Sequence, residues 1–398
     1  MLSGSLLACR QFAGYNAVMY SRLLVAPKSS FFLFGPRGTG KSTWVAEKVS
    51  AHKTINLLRE DLYQEYLVDP RKLRDELSTL RPGQWVVIDE VQRLPQLLNE
   101  VHLQIEERRL RFALTGSSAR KLRMRGVNLL AGRAVRRGLH PLTPQELGKD
   151  FKLETMLRFG SIPLVIAAEN PGDTLKAYTE TYLKEEIQAE AVVRNLPGFA
   201  RFLKVAALFH GQEIDATNIA RDAQVARTTV QGYLEVLQDT LIGQELPAFE
   251  ARLRVRERQK SKLYFFDPGV VRAIKGYRGA VTHEERGSLL EGLVHQWLRA
   301  HQDYQDLFDD LHYWASAHTG SRVEVDFLIS QGRGFHALEV KATERLRPEH
   351  FSGLRAISEL KGIKQRVLLY TGTRKYRTSE GIDVVPVEQF FTKIKDYL

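Results

Sequence analysis

The chain has 398 residues, 43% of them hydrophobic and 26% charged, with 58 Lys and Arg against 47 Asp and Glu for a net charge of +11. That length suggests two or three domains, and that composition excludes a disordered chain. The single cysteine, Cys9, excludes an intramolecular disulfide and a cysteine-cluster metal site. No apolar run approaches the roughly 18–20 residues needed to span a membrane, and no leader pattern opens the chain. The expectation is therefore a cytoplasmic protein with no membrane partner. The basic excess hints at a polyanionic partner but is weak alone.

Residues 28–150 alternate short apolar runs with helical stretches, the texture of a buried parallel sheet with crossovers. The first run, Phe31–Phe34, leads into Gly35-Pro36-Arg37-Gly38-Thr39-Gly40-Lys41-Ser42, which with Thr43 are the candidate nucleotide-binding residues, and a helix follows. Strand, glycine-rich turn and helix N-terminus together form a phosphate-binding loop. Lys41 is expected to reach the β- and γ-phosphates of ATP, and the Ser42 hydroxyl to ligate Mg²⁺. The second run, Trp85–Ile88, ends in Asp89 and Glu90. Asp89 is assigned to the metal and Glu90 to orienting the attacking water. A third run, Arg111–Thr115, ends in Gly116, Ser117 and Ser118. Ser117 or Ser118 is a candidate γ-phosphate sensor, or simply a helix N-cap. Arg133 is a candidate arginine finger offered to a neighbouring subunit, or a structural or DNA-facing cation.

Residues 151–199 read as a helical connector. Residues 200–279 read as compact helices and a hairpin. Apolar residues recur at helical spacing through Phe202–Leu208, Ile219–Ala223 and Val230–Leu237, and Arg227 and Thr228 open the third helix as a recognition helix would. Between the hairpin's strands, Arg252, Arg254, Arg256, Arg258, Lys260 and Lys262 recur every second residue. On an extended strand they share one face, which makes them candidate nucleic-acid contacts. The competing reading is a helical packing module that never touches DNA.

In residues 280–398 the alternating strand Val323–Ile329 carries Asp326, and a second strand carries Glu339 and Lys341. Asp, a hairpin and Glu-x-Lys make the pattern of the PD-(D/E)xK nuclease fold. Asp326 and Glu339 can share a divalent ion, Glu339 and Lys341 face the same side, and Lys341 can position a hydroxide. Glu291, on a preceding helix, is a further candidate ligand.

These segments resemble prokaryotic AAA-type ATPases that carry a carboxy-terminal domain of uncharacterised function with a nuclease-like core. The resemblance rests on Gly35–Ser42, Val86–Gln92, Leu114–Arg120, Leu129–Arg133 with Leu139–Thr143, Tyr233–Leu237, Leu263–Asp267 and the Asp326…Glu339-x-Lys341 stretch. It implies an α/β chain in four parts: an AAA-type P-loop ATPase domain over 1–150, the helical connector over 151–199, a winged helix over 200–279 and a PD-(D/E)xK-like α/β domain over 280–398. The leading expectation is an ATP-driven, DNA-acting motor or remodeller, homo-oligomeric with a hexamer as first guess. The alternatives are a nucleotide-controlled scaffold that recruits a protein, and an ATP-gated metal-dependent endonuclease.

Overall fold

Four buried residues, Phe31–Phe34, form β1 inside a parallel sheet. The structure, a computed structural model, describes residues 20–118, 130, 132–182, 195–249, 260–316 and 323–398. The sheet adds β2 (Ala51–Asn56), β3 (Trp85–Asp89), β4 (Arg111–Gly116) and β5 (Val135–Gly138), in the order β2-β3-β4-β1-β5, with every pairing parallel. Alternation along β1 serves two layers. Phe32 and Phe34 join Val86, Ile88 and the helix α2 (Leu97–Arg108), whereas Phe31 and Leu33 join Trp44 and Val45 of the helix α1 (Lys41–Lys48). Apolar side chains on both faces explain why the inner strands read as continuous apolar runs.

The chain then builds α3 (Leu196–Leu208), β6 (Gln212–Glu213), α4 (Ala216–Ala223), α5 (Arg227–Asp239), β7 (Gly243–Leu246) and β8 (Lys262–Phe265). The three strands pair antiparallel in the order β6-β8-β7 beside the helices. Asp215 caps α4, accepting from the backbone N–H groups of Thr217 and Asn218 at 3.1 and 3.0 Å. After α6 (Pro268–Lys275), the 23-residue helix α7 (His283–Gln305) opens with a reciprocal Thr282–Glu285 capping box.

A six-stranded mixed sheet follows: β9 (Asp310–Ala315), β10 (Glu324–Gln331), β11 (Gly334–Lys341), β12 (Ile363–Tyr370), β13 (Tyr376–Arg377) and β14 (Asp383–Pro386), in the order β13-β14-β12-β11-β10-β9. The β10–β11 hairpin sets Phe327 opposite Leu338, so Asp326 and Glu339 lie side by side one step further along.

The connector, the helices and small sheet that follow it, and one face of the C-terminal sheet share a core, while Val325, Leu328, Ala337 and Leu354 form a separate cluster on the other face. One hydrophobic cluster runs from Leu142 to Tyr397 and takes in Phe202, Leu237, Trp297, Phe327 and Phe390. The wing is fastened as well: Phe249 N–H donates to Tyr313 O at 2.7 Å, and Tyr313 N–H to Pro247 O at 3.0 Å, which seats the chain after β7 against β9. Among the described residues, no helix is long and apolar enough to cross a membrane.

One joint within this shared core titrates. Asp267 is fully buried, caps α6 through Val270 N–H at 3.2 Å and holds Ser161 N–H at 2.7 Å. Burial pushes its carboxyl up to about 7 against the pull of those N–H groups. Between the ordinary value of 3.8 and about 7 the folded state holds the proton more tightly than the unfolded state, so this contribution to stability is lost as pH rises through that window. Asp267→Asn, which cannot titrate, should therefore close part of its stability gap to wild type as pH rises from 4 to 8, read from urea midpoints. A gap independent of pH would contradict this.

Candidate functional site

The turn between β1 and α1 requires glycine. A Cβ at Gly35 would lie 2.3 Å from Leu139 O, and Gly38 and Gly40 hold φ of +81° and +88°, a region that L side chains rarely adopt. Lys41 is buried and folds back so that its ammonium donates to Gly35 O at 2.8 Å and Pro36 O at 3.2 Å. Thr39 Oγ1 donates to Pro36 O at 2.8 Å, and Tyr178 Oη donates to Arg37 O at 3.0 Å. A cavity of about 770 Å³ opens over this loop, lined by residues 37–44, by Asp89 and Glu90, and by Leu164, Ala167 and Asn170. Gly35 and Pro36 underlie it.

Beside the loop, Ser42 Oγ donates to the Asp89 carboxylate at 3.0 and 3.2 Å. The Thr115 hydroxyl donates to the same carboxylate and accepts from Glu90 N–H at 3.3 Å. Gln92 Nε2 donates to the Glu90 carboxylate and to Ser117 Oγ, the latter at 3.1 Å. Gly116 makes room for this amide, since a Cβ there would lie 2.5 Å from Gln92 Oε1. Glu90 sits at φ 59°, a left-handed conformation that costs about 1–3 kcal/mol in a non-glycine residue and aims its side chain off the end of β3. The structure thus brings Ser42, Asp89, Glu90 and Ser117 into one network, with Lys41 folded against the loop beside it. A hydroxyl and a carboxylate 3.0 Å apart form an oxygen set that suits Mg²⁺. Thr115 and Gln92 complete this network and were not singled out from the sequence. The signal for Thr115 was a hydroxyl closing an otherwise apolar strand; Gln92 gave none. Arg133 stands away from the cavity and pairs with Glu106 of α2 in its own chain.

The second candidate site forms where β8 meets α7, β10 and β11. Lys262 is only 4% exposed. Its ammonium lies 3.0 Å from Glu291 Oε1 and 3.9 Å from Asp326 Oδ1, and it also pairs with Glu324. Burial works against that charge, but Glu291, Asp326 and Glu324 outweigh it and raise the lysine's pKa. The Tyr264 hydroxyl donates to the same Glu291 oxygen, and its ring stacks on His295 at 4.3 Å. Lys341 pairs with Glu339, and Val340 N–H donates to Asp326 Oδ2 at 2.8 Å. Glu339 Oε2 is buried with no hydrogen-bonding partner among the described residues. Burial and the neighbouring Asp326 raise the pKa of both Glu291 and Glu339.

Two expectations are corrected here. Lys262 was expected to face nucleic acid with the other wing cations; it points inward because β8 is the central strand of its small sheet and lies against α7. Glu291, Asp326 and Glu339 were expected to hold a metal. Among the described residues no group of three or more His, Cys, Asp or Glu is placed to hold one, because Lys262 and Lys341 already occupy these carboxylates. In this arrangement the residues do not fit a metal ion. Arg227 and Thr228 are exposed in the first turn of α5 as expected, and Lys260 is exposed and paired with Asp215 at 3.0 Å. Arg252, Arg254, Arg256 and Arg258 lie outside the described residues.

Residues 28–148 match the model of an AAA domain, residues 150–280 a domain of unknown function (DUF8612), and residues 286–390 a second one (DUF4143). The chain is homologous to uncharacterized proteins of Mycobacterium tuberculosis and Mycobacterium bovis, each 26% identical over 370 residues, covering 90% of this chain and 80% of the relative. Among solved structures it is similar to the Aeropyrum pernix Orc1 protein in complex with DNA, with 14% identity, TM-score 0.29, 63% of this chain and 87% of that one. It is also similar to the Thermotoga maritima RuvB Holliday junction branch migration motor, with 15% identity, TM-score 0.29, 55% and 82%. Both TM-scores are low. The AAA domain suggests ATP binding and, by the same token, Mg²⁺.

Gly35→Ala tests the loop geometry. The added methyl meets a backbone oxygen that can retreat only by moving β5's exit. Overpacking of this kind costs about 1–3 kcal/mol, so affinity for a fluorescent ATP analogue should fall roughly tenfold or more. Unchanged affinity would contradict the placement of the site.

Proposed function

We propose that this chain hydrolyses ATP and uses the turnover to move or remodel DNA, acting as a homo-oligomer with a hexamer as the first expectation. The observation that carries the reading is the hydrogen-bonded chain from Ser42 through Asp89 to Thr115, continued by Glu90, Gln92 and Ser117. ATP with Mg²⁺ supplies the phosphoanhydride bond and the neutralising charge. Lys41 turns from Gly35 O and Pro36 O toward the β- and γ-phosphate oxygens. Ser42 and Asp89 hold the metal. Glu90 orients the attacking water while Gln92 fixes its carboxylate, and Ser117, on the same amide, reports the γ-phosphate. Arg133 serves a neighbouring subunit's nucleotide.

The net charge of +11 and the exposed start of α5 at Arg227 and Thr228 support DNA as the partner. The lysine-filled carboxylate cluster favours a C-terminal module that binds without cutting, which keeps open the second reading of a nucleotide-controlled scaffold for a protein partner.

Lys41→Ala should lower ATP turnover by about a hundredfold or more, the scale of losing one stabilising charge at the transferred phosphate. Thr115→Val removes a hydrogen bond to a charged group worth about 1.5–3 kcal/mol, which is roughly a ten- to hundredfold loss. Turnover unchanged in Lys41→Ala would refute the ATP site. Duplex DNA affinity should fall steeply with salt, and Arg227→Ala should reduce the log–log slope by about one. A flat salt dependence would remove DNA from the proposal.

A further inference from the structure

We propose that the cavity walled by α3, α6 and the helix Pro171–Ala177 is an effector site for a small anion with an apolar body, and that its occupancy is passed to the phosphate loop. The site itself is independent of the ATP reading; the coupling rests on that reading. The cavity holds about 950 Å³, within the range of about 300–1,000 Å³ that suits a small ligand.

The lining combines apolar side chains with an excess of cations. Phe159, Phe199, Leu203 and Leu208 supply the apolar part, and Leu208 is left 54% exposed. Covering such surface is favourable, so the wall offers burial to a ligand's body. Arg158, Lys176, Lys204, Lys275 and Arg278 line the same cavity against two acids, Asp173 and Glu180. Both acids are engaged: Asp173 accepts from Asn170 Nδ2 at 2.6 Å, and Glu180 lies 4.0 Å from Lys176. Lys275 is the cation that most needs a partner. It is half-buried at the end of α6 and makes no hydrogen bond or ion pair among the described residues. Burial holds its pKa below the ordinary lysine value against the pull of Glu285, and Glu285 is itself held by Arg272 at 3.1 Å. An anion in the cavity would supply the missing counter-charge. The backbone fixes this lysine in place. Gly276, at φ +79°, ends α6 in a Schellman turn in which Tyr277 N–H donates to Arg272 O at 2.8 Å and Gly276 N–H to Ala273 O at 3.1 Å.

Two connections join this cavity to the nucleotide cavity. Asn170 and Asp173, at the start of the helix Pro171–Ala177, line both. That helix runs into the π turn Tyr178–Tyr182, a form frequent at functional sites. Thr179 and Glu180 of the turn line the effector cavity, while Tyr178 Oη donates to Arg37 O of the phosphate loop at 3.0 Å. A ligand that fixes this wall therefore fixes a carbonyl of the loop as well, and linkage makes the effect reciprocal.

The test titrates the full chain, without nucleotide, with two dyes of like body: the anionic anilinonaphthalene sulfonate and the neutral phenylnaphthylamine, both read by fluorescence. The anionic dye should bind about tenfold or more tighter than the neutral one, the scale of a hydrogen bond to a charged group. Lys275→Met should erase that difference, and Leu203→Glu, which sets an acid in the apolar wall, should abolish binding of the anionic dye. If Leu203→Glu fails to fold, Lys204→Glu on the exposed side of α3 should weaken the anionic dye and spare the neutral one. Equal affinity for the two dyes, or anionic binding indifferent to Lys275→Met, overturns the proposal. Isothermal titration calorimetry with a non-hydrolysable ATP analogue then reads the coupling. Saturating anionic dye should raise the analogue's affinity about fivefold or more, and Tyr178→Phe should remove that gain while the dye stays bound. No gain overturns the proposal, and so does displacement of the dye by the analogue, which would place it in the nucleotide cavity. A chain that binds the dyes as expected but no nucleotide refutes the ATP reading and leaves the effector site standing.

Discussion

A single buried guanidinium at the root of the phosphate loop fixes how the two halves of the molecule meet. Arg22 donates to Thr39 O in the loop at 2.8 Å, to Glu146 at 3.0 Å, to Tyr304 Oη at 2.9 Å and to His140 O. Its side chain is 5% exposed and that of Glu146 is fully buried. Burial disfavours the charge, but Tyr304 and Glu146 outweigh that cost and hold the arginine protonated. A pair so enclosed is expensive to break, since either partner alone would be a buried, uncompensated ion. His140 adds a second bond to the same place, pairing with Asp303 of α7 and donating its N–H to Tyr304 Oη at 2.8 Å. The phosphate loop is thus bound to the far end of a helix that belongs to the C-terminal module.

That helix gives the two candidate sites a common frame. Glu291 and Tyr304 are both on α7, and a rise of about 1.5 Å per residue puts them about 20 Å apart along one rigid element. At one end Tyr304 touches Arg22 below the nucleotide loop; at the other Glu291 touches Lys262 and Tyr264 from the wing strand. Each site is built at the edge of a sheet by residues that the strands deliver. Asp89, Glu90, Thr115 and Ser117 stand at or just past the carboxyl ends of the parallel strands β3 and β4, where open α/β sheets place their ligands. Asp326, Glu339 and Lys341 come from an antiparallel hairpin covered by α7.

Much of this was legible because local chemistry and global fold agreed. Glycines at 35, 38 and 40 with Lys41 and Ser42 could hardly be read otherwise, and the acids closing β3 stand where the strand pattern put them. Asp326, Glu339 and Lys341 converge as their spacing implied. Strands β2, β5, β6, β9, β13 and β14 went unseen; β6 and β13 have two residues each, and β2 and β5 lie at the edges of their sheet with largely exposed side chains, so they carry no apolar run. Lys262 was misread because an i, i+2 rule places residues on a face but says nothing about what covers that face. The shared core from Leu142 to Tyr397 was also out of reach, since it depends on how helices from one segment fill the side of a sheet from another. Thr115 meets Asp89 and Glu90, and Gln92 meets Ser117, only across the ends of neighbouring strands, contacts that a linear reading does not contain.

The most direct measurement of the central claim is ATP turnover by the intact chain with and without duplex, branched and single-stranded DNA at fixed low salt. The account expects turnover to rise several-fold with at least one DNA form and the rise to disappear at high salt. Turnover that no DNA form changes, together with stimulation by a protein partner, would contradict it in favour of a nucleotide-controlled scaffold.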